Sequence, residues 1–180
     1  MTRSRLIGLA VLTPVVGVFG FLAHEAGHWS MGRAFGLDMY LQLNRAGPVD
    51  PGIDVATWRQ ATITSAGPAV TFAQALIGVA LARRLPVLGF ALTFSAVYMR
   101  AVAFGISVLV NPNDEARLGE MLGIGIYPIH IAVMALLLPV LALATLRARA
   151  GWSAYIIAFV ASSAAVSAVV YLDPVIGRIL

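Results

Sequence analysis

The sequence predicts an all-α membrane protein with about five transmembrane helices and a short β-strand or hairpin between the first two. Three observations lead there. Of 180 residues, 60% are hydrophobic and only 11% are charged, whereas a soluble domain carries about 25% charged residues. Mean hydropathy is correspondingly high, at +0.90. The apolar residues also gather into five runs, at 6–35, 58–82, 87–110, 121–146 and 152–172, close to or longer than the roughly 20 residues that cross a bilayer. Finally, residues 37–44, LDMYLQLN, alternate apolar and polar, a period of two that belongs to an extended strand. One transmembrane domain, 1–180, accommodates all of this.

The first run follows Arg3 and Arg5 and imitates a signal peptide. It continues into residues 24–28 with no small-x-small cleavage site ahead of a polar region, so it reads as the first span. Pro14 is a candidate kink. The alternating stretch comes next and runs into the turn signals Gly47-Pro48 and Asp50-Pro51-Gly52. The second run holds Gly67-Pro68, a pair that interrupts the helical ladder and lets another helix approach. Pro86 and Pro112 bound the third run, the fourth contains Pro128 and Pro139, and the fifth ends at Asp173-Pro174. Proline inside a span is tolerated where neighbours satisfy the freed backbone groups.

The net charge is +4, and all 12 basic residues are arginine. They are scattered, which points to membrane topology and away from a nucleic-acid partner. With the N-terminus in the cytoplasm, Arg3, Arg5, Arg83, Arg84, Arg147 and Arg149 lie inside, and Arg33, Arg45, Arg59, Arg117 and Arg178 lie outside. The two sides are nearly balanced, and the tight pairs favour this orientation. No cysteine is present, so a metal would be held by His, Asp, Glu or Asn.

Residues 21–30, FLAHEAGHWS, place ionisable groups where they are costly. A charge inside the hydrocarbon costs roughly 2.5–3.5 kcal/mol and marks a functional site. His24 and His28 are four apart, so on a helix both imidazoles share one face. With Glu25 they form HExxH, a pattern in which the histidines bind a metal and the glutamate acts on a water. A third ligand is required. Asp38, Asp50, Asp54, Asp114, Glu115, Glu120, Asp173 and His130 are the candidates. In Asn111-Pro112-Asn113-Asp114-Glu115, Asp114 serves equally well as a ligand or as the N3 residue of a helix capped by Asn111. His130 and Arg100 also lie in apolar runs. Structural hydrogen bonding and ion pairing are their expected uses, beside an oxyanion-stabilising role for His130 and a polar cavity lining for Arg100.

HEAGH near the end of an early span, SAGPAVTF in the next, and an Asn-Pro segment with Asp after a third together resemble the site-2 protease family of intramembrane zinc metalloproteases. The likeness covers residues 20–120 and implies a three-helix catalytic core within about 6–120, with additional spans at about 121–172. It implies Zn2+ held by His24, His28 and Asp114, with Glu25 as catalytic base. Thr71 stands where the family has Asn, Glu115 stands where it has Gly after the Asp, and no insertion is long enough for a PDZ domain. An unwound transmembrane or membrane-proximal segment of a membrane protein in the cell membrane would be the substrate. Leu41, Gln42 and Leu43 would bind it by strand addition, beside Gly67 and Pro68. The same residues would also serve a membrane hydrolase of a lipid or small amide, or a non-catalytic membrane assembly protein with a vestigial site.

Overall fold

The computed structural model describes residues 1–180 as six helices and one two-stranded sheet. In order they are α1 (Arg3–Ala34), β1 (Met39–Leu41), β2 (Ala46–Pro48), α2 (Thr57–Leu81), α3 (Pro86–Leu109), α4 (Asp114–Met121), α5 (Pro128–Ala148) and α6 (Trp152–Ile176). All except α4 are long and apolar enough to cross a membrane.

The buried face of α1 is Leu9, Thr13, Val16, Gly17, Gly20, His24, His28 and Gly32. Steps of mainly three and four make this a single stripe along the helix. The histidines therefore continue the packing face and do not point to lipid. α1 lies against α2, α3 and α6, and α5 packs on α2 and α3. Small residues set these approaches: a Cβ on Gly17 would stand 2.6 Å from that of Ala165 in α6.

Three expected boundaries move. The span expected at 121–146 starts late, at Pro128. The run divides after α4 at Gly123 and Gly125, whose φ values of 70° and 82° end helical geometry. Pro128 then sits in the first turn of α5, where its missing N–H costs nothing. α6 does not stop at Asp173-Pro174 but continues to Ile176. Its last turns are pinned by Asp173, whose carboxylate accepts from the Asn44 backbone N–H at 2.9 Å and the Arg45 Nε at 3.3 Å. The N-cap position of α4 is Asn113 and not Asn111, which makes Asp114 the first helical residue. Asn113 donates from Nδ2 to the Ala103 carbonyl and from its N–H to Ser107 Oγ, both at 3.0 Å, stitching the start of α4 to α3.

The alternating stretch forms a hairpin in which Met39, Tyr40 and Leu41 pair antiparallel with Pro48, Gly47 and Ala46. The end of the chain adds to it. Leu41 donates to the Leu180 carbonyl at 3.0 Å and accepts from the Ile179 N–H at 2.8 Å. The outer edge of β1 is thus closed by this chain.

The two ends of the bundle differ in character. The apolar core, with Leu9, Val79, Phe90, Phe94, Leu141 and Ala158 among its 16 residues, fills the end where α1 and α6 begin. Buried His24, His28, Arg100, Glu115, His130 and Asp173 occupy the other. Gly17→Leu is expected to destabilise the fold by about 1–3 kcal/mol through overpacking against α6. A lower midpoint of thermal unfolding in detergent, followed by circular dichroism, is the check.

Candidate metal centre

Two helices bring three polar side chains to one point. α1 contributes His24 and His28, and α4 contributes Asp114. His24 Nε2 lies 3.1 Å from His28 Nε2 and 3.0 Å from Asp114 Oδ2, and His28 Nε2 lies 3.4 Å from the same oxygen. These three form the cluster of the fold able to hold a metal ion.

The far sides of both rings fix the direction of their lone pairs. His28 Nδ1 faces the Ile63 carbonyl at 2.7 Å and must donate to it. Thr71 Oγ1 sits 3.0 Å from His24 Nδ1 while donating back to the Gly67 carbonyl at 3.3 Å. A hydroxyl whose proton is spent accepts from its other neighbour, so His24 Nδ1 is the donor. These tautomers are assigned from the partners. Both Nε2 atoms then present lone pairs to each other and to a carboxylate oxygen.

Three acceptors facing one another in a buried site repel unless a cation or added protons sit between them. An ion bound tetrahedrally at about 2.0–2.1 Å separates its ligands by about 3.3–3.4 Å, close to the edges observed. Hydrogen bonds on the far side of the ring, of the kind made with Ile63 and Thr71, orient imidazoles for metal. The charges agree as well. With Glu25, Asp114 and Glu115 as carboxylates and Arg100 as a cation, a divalent ion brings the sum to zero. Arg100 Nη1, 3.7 Å from Asp114 Oδ2, favours the ionised carboxylate, an anion able to bind metal.

Gly67 leaves the space between the two rings open. A Cβ there would stand 2.7 Å from His24 Nε2 and closer still to His28 Nε2. α2 passes through Pro68 as one continuous helix, so the Gly-Pro pair provides close approach without a break. On the other side, a cavity of about 420 Å³ is lined by His24, Glu25, His28, Asp114 and Arg100, by Tyr40 and Ala46–Pro48 of the hairpin, and by Val166 and Val170 of α6.

The remaining acids lie elsewhere. Asp38 pairs with Arg33 at 2.9 Å and Asp173 with Arg45, while Asp50, Asp54 and Glu120 are exposed. Glu115 is adjacent to Asp114 yet points away from the histidines. Its Oε1 accepts from Arg100 Nη1 at 3.0 Å, and its Oε2 is 3.7 Å from His130 Nδ1. Arg100 therefore has the expected ion pair, whereas His130 stacks on Phe104 in the interior and lacks the hydrogen bond expected of it, its Nε2 facing no partner. Leu41, Gln42 and Leu43 do not line the cavity. Leu41 and Leu43 are buried, and Gln42 donates its N–H across the hairpin to Arg45. Pro68 is half-buried and also outside the lining. Sequence reasoning missed the Ile63 carbonyl, which no side-chain pattern reveals. It also treated Thr71 only as a departure, although a hydroxyl seven residues after Thr64, on the same buried face of α2, signals a polar contact.

No family model, curated protein or solved structure matches this chain.

Asp114→Ala is expected to lose the metal that the purified wild-type protein retains at one equivalent, with Glu120→Ala retaining it, as read by elemental analysis after dialysis. Retention by Asp114→Ala would move the third ligand to another residue. Gly67→Ala is expected to lower occupancy in the same assay, because the added methyl enters the space between the rings.

Proposed function

We propose that this chain is an intramembrane zinc metalloprotease of the site-2 kind, cleaving a transmembrane or membrane-proximal peptide segment of another protein in the cell membrane. The observation that carries this reading is the convergence of His24, His28 and Asp114 at 3.0–3.4 Å beside Glu25, in a cavity partly walled by a strand. Two imidazoles and a carboxylate with a further position open to a cavity match the donor set of catalytic zinc.

Zinc bound there would supply Lewis-acid chemistry, polarising an amide carbonyl and acidifying water to a pKa of about 7. The chain's own residues do the rest. Ile63 and Thr71 hold the imidazoles in the ligating tautomer. Glu25 lines the same cavity but is not a member of the ligand cluster, which leaves its carboxylate free to take a proton from the attacking water and deliver it to the leaving amine.

The hairpin supports a peptide over a lipid or small amide. Gln42 donates to Arg45 and Val49 to Asp38, so in this register the Tyr40–Gly47 pair bonds inward while Ala46 and Pro48 direct their backbone groups outward. The outer edge of β2 belongs to the cavity wall and carries one N–H and two carbonyls free to pair with an extended chain. A lipid has no use for such an edge.

Glu25→Gln is expected to keep its zinc and to lower peptide cleavage by about 10²–10⁴-fold. Unchanged turnover in that variant would sink the assignment of the base. Ala46→Pro, which removes the one outward N–H, is expected to raise KM roughly two- to tenfold, the worth of one hydrogen bond, at unchanged kcat in a steady-state assay.

A further inference from the structure

Beside the candidate metal cluster lies a second buried polar group, of which Arg100 also lines the cavity. Arg100 of α3, Glu115 of α4 and His130 of α5 are each at least nine-tenths buried. Arg100 Nη1 is 3.0 Å from Glu115 Oε1 and 3.7 Å from Asp114 Oδ2, so one guanidinium faces two consecutive carboxylates.

α4 needs such an anchor. It is eight residues long and its N-cap residue makes no side-chain cap. A helix this short gains little from its own hydrogen bonds. Adjacent residues on a helix project about 100° apart, so fixing Glu115 toward α3 and α5 turns Asp114 toward α1. A buried ion pair is weak evidence for stability but is well suited to setting register.

We propose that Arg100 and Glu115 are positioning residues for the metal: their ion pair sets the rotation of α4, and so the placement of Asp114 against His24 and His28. The proposal rests on the metal-centre reading above. Direct electrostatics predicts a different outcome for Arg100. A cation 3.7 Å from a ligand oxygen repels a bound metal, so if Arg100 acted only through its charge, removing it would tighten binding. If it acts by positioning, removing it weakens binding.

The test uses full-length protein in detergent, with Co2+ as the probe, read by its visible absorption and by titration. Wild-type protein is expected to bind one equivalent. Failure there would remove the metal-centre reading itself, which the variants then need not address. Arg100→Met and Glu115→Gln are each expected to keep one equivalent at saturation, to bind about 10–100-fold more weakly, as outer-shell changes do, and to shift the visible band. The double variant is expected to lose no more than the worse single variant, because the pair acts as one unit. Arg100→Lys, which keeps the charge, is expected to recover part of the affinity. Tighter binding by Arg100→Met, unchanged binding by both single variants, or fully additive losses would each overturn the proposal. If Arg100→Met fails to fold, Glu115→Gln with Arg100→Lys decides: unchanged affinity and band in both overturns it, and weakened binding with a shifted band in both supports it.

Discussion

Three lone pairs meet at His24 Nε2, His28 Nε2 and Asp114 Oδ2 within 3.0–3.4 Å, in the interior of a helical bundle. Buried acceptors without a donor cost free energy, so the fold has to hold this candidate metal cluster together against their repulsion. Much of the architecture follows from that constraint. The α1 stripe carries the rings on its packing face. The Ile63 carbonyl and Thr71 hydroxyl take up their other nitrogens. Gly67 keeps α2 close without filling the gap, and Asn113 ties the start of α4 to α3.

Electrical neutrality is the second demand. All eight acidic residues lie outside the end that carries Arg3, Arg5, Arg83, Arg84, Arg147 and Arg149. Of these acids, Glu25, Asp114 and Glu115 are drawn around the cluster with a single guanidinium among them. Charges packed this tightly in a low-dielectric interior are tolerated when they cancel. Two carboxylates in sequence thus divide, one facing the rings of the candidate metal cluster and one paired with Arg100.

Much of this was legible in the sequence. Five apolar runs gave five membrane-length helices, alternation at 37–44 gave the hairpin, and the spacing of His24 and His28 placed both on one face. The division at 121–127 was hidden because Leu122, Ile124 and Ile126 keep the run apolar, and only the glycines' left-handed backbone ends the helix. Asp114 and Glu115 could not be separated from spacing alone. Which one meets the rings depends on how α4 is rotated, and that is set by Arg100, fourteen residues earlier. The role of the Ile63 carbonyl and the pairing of Ile179 and Leu180 with Leu41 are main-chain events, which leave no trace in residue type.

The lengthwise segregation of apolar core and polar site has a consequence for motion. Protection of backbone amides from exchange follows local packing. At the arginine-rich end, aromatic and aliphatic side chains interlock from five helices. At the other end, a short helix, a hairpin of two three-residue strands and a few polar ties surround an open cavity. The apolar core is thus the clamp of a tuning fork, and the polar site lies between the prongs. The packing that keeps the helices together therefore lies apart from the cavity, and an exchange measurement would find the most protected amides at the arginine-rich end.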